Sequence, residues 1–432
     1  MKLPFHHRTT CCLCGSEYLE DVCEITKLPF KSPNVGRDSS NVGSQQNADL
    51  LVPLNLHMCS ACYHLQLADI VDPEIQYTNY NYRTSISVGL AKHFGSSFDQ
   101  VASFVGRELT GLNVLEVGSN DGTYLKYFLD AGCNVLGVEP AQNISSRARD
   151  AGIPTLTDFF NSTTASDLLS SHGAFDVILA NYVLANIEDV SDVVEGIRHV
   201  LAKEGVFVFE TQYGVDVLEN FLVDTIYHEH ISYFNVLPLK SFFENRDLKI
   251  VDVQKIPTKG GSIRVYVQHS NAKTNSSPAV EDLVRREERA GFGSGSSLRS
   301  FSRQIRSNKD DISRVLSGQN LIAGFGASVG TMTLLHLYEL TDRVIYICDD
   351  KPMQDSLHGP YYEIPIVSGH HLEQEPVDAV FLFAWRYSKN IIPKHHTYLA
   401  NGGQFIVPLP KVQVFRDVEL THTDHAPDAK RE

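Results

Sequence analysis

The chain has 432 residues, a formal net charge of −15 and 42% hydrophobic residues. This length exceeds one ordinary hydrophobic core, so we expect two or three domains. The acidic balance argues against nucleic-acid partners, because such a surface needs a basic face. The sequence contains no apolar run of about 18 residues, so we predict no membrane span. It also shows no secretory signal. We therefore predict a cytoplasmic protein with reduced cysteines.

The first 75 residues contain two C-x-x-C pairs, which are formed by Cys11 with Cys14 and by Cys59 with Cys62. Four thiolates presented by two short turns fit a tetrahedral zinc site. A closed shell of four cysteines leaves no position for water, so this zinc would be structural. Unrelated core cysteines are the alternative. Cys12 adds an ambiguity, because it can enter the shell if the first turn shifts. We predict a zinc-binding N-terminal domain over residues 1–75.

Strand and helix patterns alternate through the next part of the chain, which predicts an α/β domain over residues 76–270. The strand candidates are Asn113–Val117, Asn134–Val138, Asp176–Leu179, Gly205–Glu210 and Arg264–Gln268. The first of them leads into a glycine turn and a helix, the arrangement that opens a nucleotide-binding fold.

This glycine turn lacks the middle glycine of a dinucleotide fingerprint, because Asn120 occupies that position. Glu116 before the turn resembles the signature of S-adenosylmethionine-dependent methyltransferases of the Rossmann-like class. There the first acid anchors the amino-acid end of the cofactor, and an acid such as Glu139 holds two ribose hydroxyls. The cofactor residues so implied are Glu116, Gly118, Asn120, Asp121, Gly122, Glu139 and Pro140.

A dense polar stretch, Tyr227-His-Glu-His-Ile-Ser-Tyr233, follows a later strand of this domain. If it is extended, His228 and His230 share one side. One imidazole can then act as a general base. A hydrogen-bonded structural histidine and a His-x-His metal site are the alternatives. A second polar-aromatic stretch contains Tyr80 and Tyr82, for which a surface loop entering a helix is the alternative.

A charged connector follows over residues 271–319. Helical patterns cover Val280–Ala290 and Leu298–Leu316, with a glycine- and serine-rich segment at 291–297 between them. That composition predicts a flexible joint.

The C-terminal part repeats the strand–glycine–helix pattern. Gly324 and Gly326 follow a predicted strand, and a second predicted strand ends at Asp349. Alone, this pattern favours a nicotinamide dinucleotide site, so an NAD(P)-dependent oxidoreductase is an alternative function. The G-x-G-x-x-x-G spacing and the short domain fit a half-Rossmann unit better. We predict this unit over 320–412, followed by a tail at 413–432.

Several motifs occur in the order typical of one family. They are Cys11/Cys14 with Cys59/Cys62, Tyr80-x-Tyr82-x-x-Ser85, Glu116-x-Gly118-x-Asn-Asp-Gly122, Tyr227-His-Glu-His230, Gly260-Gly-Ser-Ile-Arg264 and Gly324-x-Gly-Ala327. Together they resemble the deoxysugar C-methyltransferases over nearly the whole chain. The resemblance implies an N-terminal zinc-binding module, a central class I (Rossmann-like) S-adenosylmethionine-dependent methyltransferase domain and a C-terminal half-Rossmann-like domain.

The family acts on nucleotide-linked keto sugars. The resemblance therefore implies methyl transfer to a sugar carbon of a 4-keto-6-deoxyhexose, typically C-3 next to the C-4 ketone. The general base falls on His230. Supporting groups fall on Tyr80, Tyr82, Tyr227 and Glu229. Where the family often has a histidine, this chain has Asn186, which can hydrogen-bond but cannot carry a proton.

Substrate contacts are predicted from two further places. Lys259-Gly-Gly-Ser262 with Arg264 can meet a pyrophosphate through backbone amides and a guanidinium, although a tight turn feeding a strand is the alternative. Trp385 and Arg386 can stack on a base or contact a phosphate, although a buried tryptophan beside a surface arginine is the alternative. The predicted substrate-binding residues are Asn186, Lys259, Gly261, Ser262, Arg264, Trp385 and Arg386.

The expected assembly is a monomer or a small homo-oligomer with a small-molecule substrate. O- or N-methyl transfer by the same cofactor domain is the nearest alternative chemistry. A zinc-stabilised binding module with an inactive site is a further alternative. The intact Glu116, Glu139 and His230 disfavour it, whereas Asn186 slightly favours it.

Overall fold

In a computed structural model, the chain forms three sheet-containing units and two connector helices. The structure describes residues 5–19, 21–29, 50–77, 82–86, 89–350 and 364–417. Tyr80 and most of the predicted tail lie outside these ranges. Within them, no helix is both long and apolar enough to cross a bilayer.

The N-terminal unit contains two antiparallel sheets, of two and four strands, and carries the cysteine turns. Its elements are β1 (Phe5–His7), β2 (Asp21–Pro29), β3 (Leu51–Met58), β4 (Leu65–Leu67), β5 (Asp69–Val71) and α1 (Pro73–Tyr77). β1 pairs with β5, while β2, β3 and β4 lie side by side. The fourth strand of the larger sheet is contributed by the central domain and pairs with β4. The N-terminal unit is therefore joined to the central domain by a shared sheet.

The central domain contains a seven-stranded mixed sheet with helices on its faces. Its helices are α2 (Leu90–Val105), α3 (Leu125–Asp130), α4 (Gln142–Asp150), α5 (Ser162–His172), α6 (Val190–Val200), α7 (Gly214–Glu219) and α8 (Val236–Glu244). Its strands are β6 (Asn113–Val117), β7 (Asn134–Val138), β8 (Thr155–Leu156), β9 (Phe175–Asn181), β10 (Leu201–Gln212), β12 (Leu248–Ile256) and β13 (Ser262–His269), and the shared strand is β11 (Ser232–Tyr233).

The order of this sheet is β12-β13-β10-β9-β6-β7-β8. β6 to β10 pair in parallel, and β13 runs antiparallel to both neighbours. The strand order reverses between β6 and β9, which places a ligand crevice at their carboxyl ends. β6 and β7 have the predicted bounds, whereas β12 was not predicted. The alternating buried and polar residues of β12 give an edge strand without a continuous apolar run.

Two helices, α9 (Pro278–Arg289) and α10 (Ser296–Leu316), form the connector at the predicted positions. Ser277 caps the N-terminus of α9: its hydroxyl accepts a bond from the Ala279 N–H, and Pro278 opens the helix. The segment between the helices is a packed turn rather than an open joint, because Phe292 is buried in it. α10 packs against β2 and α7, so the connector ties the N-terminal unit to the central domain.

The C-terminal unit is a second α/β sheet. Its elements are β14 (Ile322–Phe325), α11 (Val329–Leu337), β15 (Val344–Asp349), β16 (Ile366–Ser368), α12 (His371–Gln374), β17 (Ala379–Leu382), α13 (Ser388–Ile391), α14 (His396–Ala400), β18 (Phe405–Val407) and β19 (Gln413–Phe415). The sheet order is β16-β15-β14-β17-β18-β19.

This order corrects the predicted half-Rossmann unit, because six strands follow the complete 3-2-1-4-5-6 arrangement with the last strand antiparallel. Strands of three or four residues are too short to show a periodicity in the sequence. The sheet also extends through Phe415, beyond the predicted boundary at 412.

Candidate active site

The glycine turn after β6 adopts a conformation that glycine permits. Gly118 and Gly122 have φ angles of 67° and 75°, in the left-handed region. The Glu139 carboxylate accepts bonds from the backbone N–H groups of Asn120 and Ala141, both at 3.0 Å. The acid at the end of β7 is thereby fixed beside the turn, and Pro140 continues the chain away from it. The predicted cofactor residues thus come together at one edge of the sheet.

Glu116 lies buried near the carboxyl end of β6. Its Oε1 is 3.5 Å from the Asn181 amide nitrogen. Its Oε2 is buried and has no hydrogen-bond partner within the described part of the chain. Burial raises the pKa of Glu116 well above its usual value, because the charged form is removed from water. A buried acceptor without a donor fits the amino group of S-adenosylmethionine, so the residues present suit this cofactor.

Residues 82–86 lie directly on the glycine turn. The Asn120 side chain accepts a bond from the Thr84 N–H at 2.8 Å and donates to the Tyr82 carbonyl at 3.1 Å. The Asp121 carboxylate accepts from the Ser85 N–H at 3.0 Å. The structure therefore places the Tyr82 backbone beside the predicted cofactor residues.

The Tyr227–His230 segment forms a turn, not the extended stretch assumed from the sequence. The His230 N–H donates to the Tyr227 carbonyl at 2.9 Å, so His228 and His230 do not share one side as in a strand. Instead, the Nε2 atom of His228 lies 3.3 Å from the Val52 carbonyl in β3. Burial lowers the pKa of His228 to about 4. This imidazole links the central domain to the N-terminal unit.

His230 has both ring nitrogens engaged. Its Nδ1 lies 3.0 Å from the Thr225 carbonyl oxygen, and its Nε2 lies 3.0 Å from the Tyr227 hydroxyl. Because a carbonyl only accepts, we assign the proton to Nδ1, which leaves the Nε2 lone pair for the phenol O–H. Burial, assisted by the charge of Lys259, lowers the pKa of His230 to about 3. The imidazole is therefore neutral at pH 7.

Two predicted substrate residues lie near this segment. The Ile231 N–H donates to the Ala185 carbonyl at 2.8 Å, which brings the turn containing Asn186 against the histidine segment. Asn186 Oδ1 is buried, and no partner for it occurs among the described residues. Lys259 has a φ of 54°, and its ammonium lies 3.9 Å from the centre of the Tyr182 ring.

The rest of the predicted phosphate-binding segment has other partners. The Gly261 N–H donates to the Thr258 carbonyl at 3.0 Å, and the Ser262 hydroxyl donates to the same carbonyl at 2.9 Å. Arg264 is 1% exposed, and its Nε donates to Glu210 at 2.8 Å. These groups are used inside the protein, so we correct their assignment as pyrophosphate ligands.

A buried ionic network around Glu210 was missed from the sequence. Its carboxylate is fully buried and accepts bonds from His93 Nε2 at 2.6 Å, Ser97 Oγ at 3.0 Å and Arg264. Burial acts to raise the pKa of Glu210, but the His93 hydrogen bond and the Arg264 charge bring it below its usual value. His93 and Glu210 are 117 residues apart, so no local pattern reveals the pair.

Arg386 forms an ion pair across two domains. Its two terminal nitrogens lie 2.8 and 2.9 Å from the two carboxylate oxygens of Asp224. The guanidinium also lies 4.5 Å from the centre of the Trp385 ring. Trp385 is half-buried, and its Nε1 is buried without a partner in the residues that the structure describes. The two residues thus lie at the seam between the central and C-terminal domains.

The four predicted cysteine ligands converge. The sulfur atoms of Cys11, Cys14, Cys59 and Cys62 all lie within 4.8 Å of one another. Two of the sulfur pairs are 3.6 Å apart, close to the spacing of about 3.8 Å that tetrahedral Zn–S bonds give. Cys12 instead directs its sulfur to the Ser232 hydroxyl at 3.5 Å. The four-cysteine set therefore fits one tetrahedral metal ion without Cys12.

Comparison with known proteins agrees with this arrangement. A methyltransferase domain family model matches residues 91–253, and a C-methyltransferase C-terminal domain model matches residues 257–410. C-methyltransferase NovU from Streptomyces niveus is 31% identical over 410 residues, covering 94% of this chain and 96% of that protein. This chain belongs to the C-methyltransferase family.

Other similarities are confined to part of this C-methyltransferase. A ubiquinone biosynthesis O-methyltransferase from Azorhizobium caulinodans is 28% identical over 126 residues, which cover 28% of this chain and 47% of that protein. A solved structure with a similar part is that of magnesium protoporphyrin IX methyltransferase from Synechocystis with bound S-adenosylmethionine. Its sequence is 14% identical, the TM-score is 0.32, and the match covers 42% of this chain and 79% of that chain. The family places the enzyme among S-adenosylmethionine-dependent C-methyltransferases.

Proposed function

We propose that the enzyme methylates a carbon of a nucleotide-linked 4-keto-6-deoxyhexose, at C-3 beside the C-4 ketone, with His230 as the general base. The observation that carries the proposal is the neutral His230 imidazole, whose Nδ1–H is anchored on Thr225 and whose Nε2 is presented to Tyr227. The motif order of the sequence supports the sugar substrate.

The arrangement suits proton removal next to a ketone. A C–H bond beside a carbonyl becomes acidic when the enolate is stabilised, and a neutral imidazole can accept its proton at pH 7. The lowered pKa of His230 makes an isolated imidazolium costly in this buried site. The enolate formed beside it supplies the compensating negative charge. The substrate proton reaches Nε2 through the Tyr227 hydroxyl or after that hydroxyl moves aside.

The enolate oxygen needs donors or a positive charge nearby. Lys259 is the cation of the 258–260 turn; desolvation lowers its pKa to about 8, and its positive charge helps to lower the pKa of His230. We assign to it the stabilisation of the ketone oxygen as charge develops there. Asn186 supplies an amide to a sugar hydroxyl, and Trp385 supplies a ring face to the nucleotide. Tyr82 and Glu229 complete the predicted catalytic surroundings.

The cofactor supplies an electrophilic methyl group on sulfur. Glu116 would hold its amino group and Glu139 its ribose hydroxyls, while Gly118 and Gly122 shape the turn beside it. Asn120 and Asp121 hold residues 82–86 against the turn. Together these residues would hold the cofactor in one orientation, and such positioning of a reacting group contributes to the rate.

The test is a substrate screen with isotopically labelled S-adenosylmethionine and dTDP-, GDP- and UDP-linked 4-keto-6-deoxyhexoses. We expect a methyl mass shift with one carrier, and NMR should locate the methyl group on carbon. His230→Asn should bind both ligands but lose methyl transfer by at least about a hundredfold. His228→Asn is the matched control and should lose much less. Methylation on oxygen or nitrogen, or an active His230→Asn variant, would refute the proposal.

We also propose that the four cysteines hold one structural zinc ion in a cytoplasmic, reduced protein. Metal analysis should give about one equivalent per chain. Cys59→Ser should lose the ion and lower the stability, because metal binding contributes to folding, whereas Cys12→Ser should retain it. Full metal retention after replacement of both Cys59 and Cys62 by serine would contradict the assignment.

A further inference from the structure

The short segment 223–226 of the central domain is held by the C-terminal domain through three contacts. Arg386 binds both oxygens of Asp224, at 2.8 and 2.9 Å. The Thr333 hydroxyl in α11 donates to the Ile226 carbonyl at 2.9 Å. Gly330, also in α11, lies so close to Asp224 that an added Cβ would collide with its carbonyl oxygen. The C-terminal domain therefore fixes both the side chain and the backbone of this segment.

The same segment also contacts the imidazole of His230. The Thr225 carbonyl oxygen, which accepts the Nδ1 proton of His230, belongs to the residue between Asp224 and Ile226. A shift of this carbonyl would remove the bond that decides which ring nitrogen carries the proton. Tautomer and ring orientation of a histidine are set by the partner of the non-reacting nitrogen.

We propose that the Arg386–Asp224 ion pair is a positioning device for His230. Docking of the C-terminal domain holds the Thr225 carbonyl in place and so keeps the His230 lone pair on Nε2. Arg386 thereby acts on the reaction without touching the substrate. Its expected effect on rate rests on the proposed role of His230 as the base, whereas its effect on the tautomer does not.

The two members of the ion pair differ in exposure, so we expect loss of one charge to impair the enzyme more than loss of the other. The Asp224 side chain is 8% exposed and the Arg386 side chain is 32% exposed. Arg386→Gln leaves a buried carboxylate without its cation, which is the more disruptive loss. Asp224→Asn leaves a guanidinium that water can still reach. The double variant removes both charges, so it should be less impaired than Arg386→Gln alone.

The competing role for Arg386 is the phosphate contact considered from the sequence. That role predicts a raised KM for the nucleotide sugar, because a contact made equally in the ground state and the transition state changes binding. It also predicts that Asp224→Asn has no effect on kcat. The positioning role predicts a lowered kcat with little change in KM, and it predicts coupling between the two residues.

The experiment combines steady-state kinetics with 15N NMR of the His230 ring, identified by comparison with His230→Asn. We expect Arg386→Gln to lower kcat by roughly tenfold to a hundredfold, the range that misplacement of a catalytic group gives. Its 15N shifts should show loss of the single Nδ1–H tautomer. The exposed Lys389→Gln is the matched charge control and should change neither quantity. Asp224→Asn and Thr333→Val carry the test if Arg386→Gln does not fold.

An unchanged His230 tautomer in Arg386→Gln and Asp224→Asn would overturn the inference. So would a raised KM for the sugar with unchanged kcat, which would return Arg386 to the phosphate role. Full activity of His230→Asn would instead remove the proposed function, while the tautomer measurement would still decide whether the ion pair positions the ring.

Discussion

Two glycine turns in this molecule have the same local plan and different surroundings. In each, a parallel strand ends in a glycine turn that leads to a helix, and an acid at the end of the next strand binds a backbone N–H of the turn. In the central domain Glu139 accepts from Asn120 at 3.0 Å. In the C-terminal domain Asp349 accepts from Ala327 at 2.8 Å. The local sequence pattern cannot separate their functions.

The groups that surround each glycine turn differ between the two domains. The central turn lies beside Glu116, whose Oε2 atom is buried and has no hydrogen-bond partner among the described residues. Such an oxygen fits a bound cation. In the C-terminal turn, an added Cβ at Gly326 would lie 2.8 Å from the Ala384 backbone nitrogen, and one at Gly330 would collide with Asp224. Protein backbone therefore packs against Gly326 and Gly330, whereas the side chains of Val183 and Ile153 pack against Gly118 and Gly122. The helix that follows the second turn therefore contacts the central domain at Gly330, and within the described ranges no comparable contact to another domain is made by Gly118 or Gly122.

The largest expected effect that separates the turns is on cofactor affinity. Glu139→Ala should weaken S-adenosylmethionine binding by at least about tenfold, because the carboxylate proposed to bind the ribose hydroxyls is lost. Asp349→Ala is the matched control, since it also removes a bond to its turn, and its affinity for this cofactor should be unchanged. Calorimetric titration measures both. Equal affinities of the two variants would remove the distinction, as would NAD(P) binding that depends on Asp349.

A second effect should appear in the free energy of unfolding. Gly330→Ala places a methyl group against the Asp224 carbonyl, so we expect a loss of about 1 to 3 kcal/mol despite the better helix propensity of alanine. Gly293→Ala is the control, because an added Cβ there meets no atom within 4 Å. Denaturant unfolding should show the difference. A Gly330→Ala variant as stable as Gly293→Ala would contradict the docking role.

The last effect concerns acid, and it distinguishes the histidine segment from both turns. His228 and His230 have folded-state pKa values of about 4 and about 3, against about 6.5 in the unfolded chain. Above pH 6.5 neither changes the stability. Below pH 6.5 the unfolded state binds protons on these imidazoles and the folded state does not. Each imidazole therefore lowers the free energy of unfolding by about 1.4 kcal/mol for each pH unit of acidification. His228→Asn should flatten this dependence, and an unchanged slope would show that His228 titrates normally.

Local patterns predicted much of the site. The two cysteine pairs, the strands β6 and β7 and the acid Glu139 were predicted because each depends on residues close in sequence. The structure brings the cysteine sulfurs together and places Glu139 on the glycine turn. Each cysteine pair needs only the geometry of a turn, and Glu139 needs only that of two adjacent parallel strands; the meeting of the two cysteine pairs was predicted from the ligand number of zinc.

The misplaced residues depend on distant partners. Arg264 looked like a phosphate ligand because its buried partner Glu210 lies 54 residues away. Arg386 pairs with Asp224 across 162 residues. The turn at Tyr227–His230 is fixed partly by contacts with β3 and β4 of the N-terminal unit. No periodicity or spacing in the chain contains that information.

The central claim is that His230 removes the proton from the sugar carbon, and hydrogen exchange tests it most directly. With S-adenosylhomocysteine in place of the methyl donor, the nucleotide sugar should exchange its C-3 hydrogen with deuterated water in the presence of the wild-type enzyme. We expect His230→Asn to lose this exchange by at least about a hundredfold, while His228→Asn retains most of it. Exchange at the wild-type rate in His230→Asn would contradict the account and move the base to another group of the site.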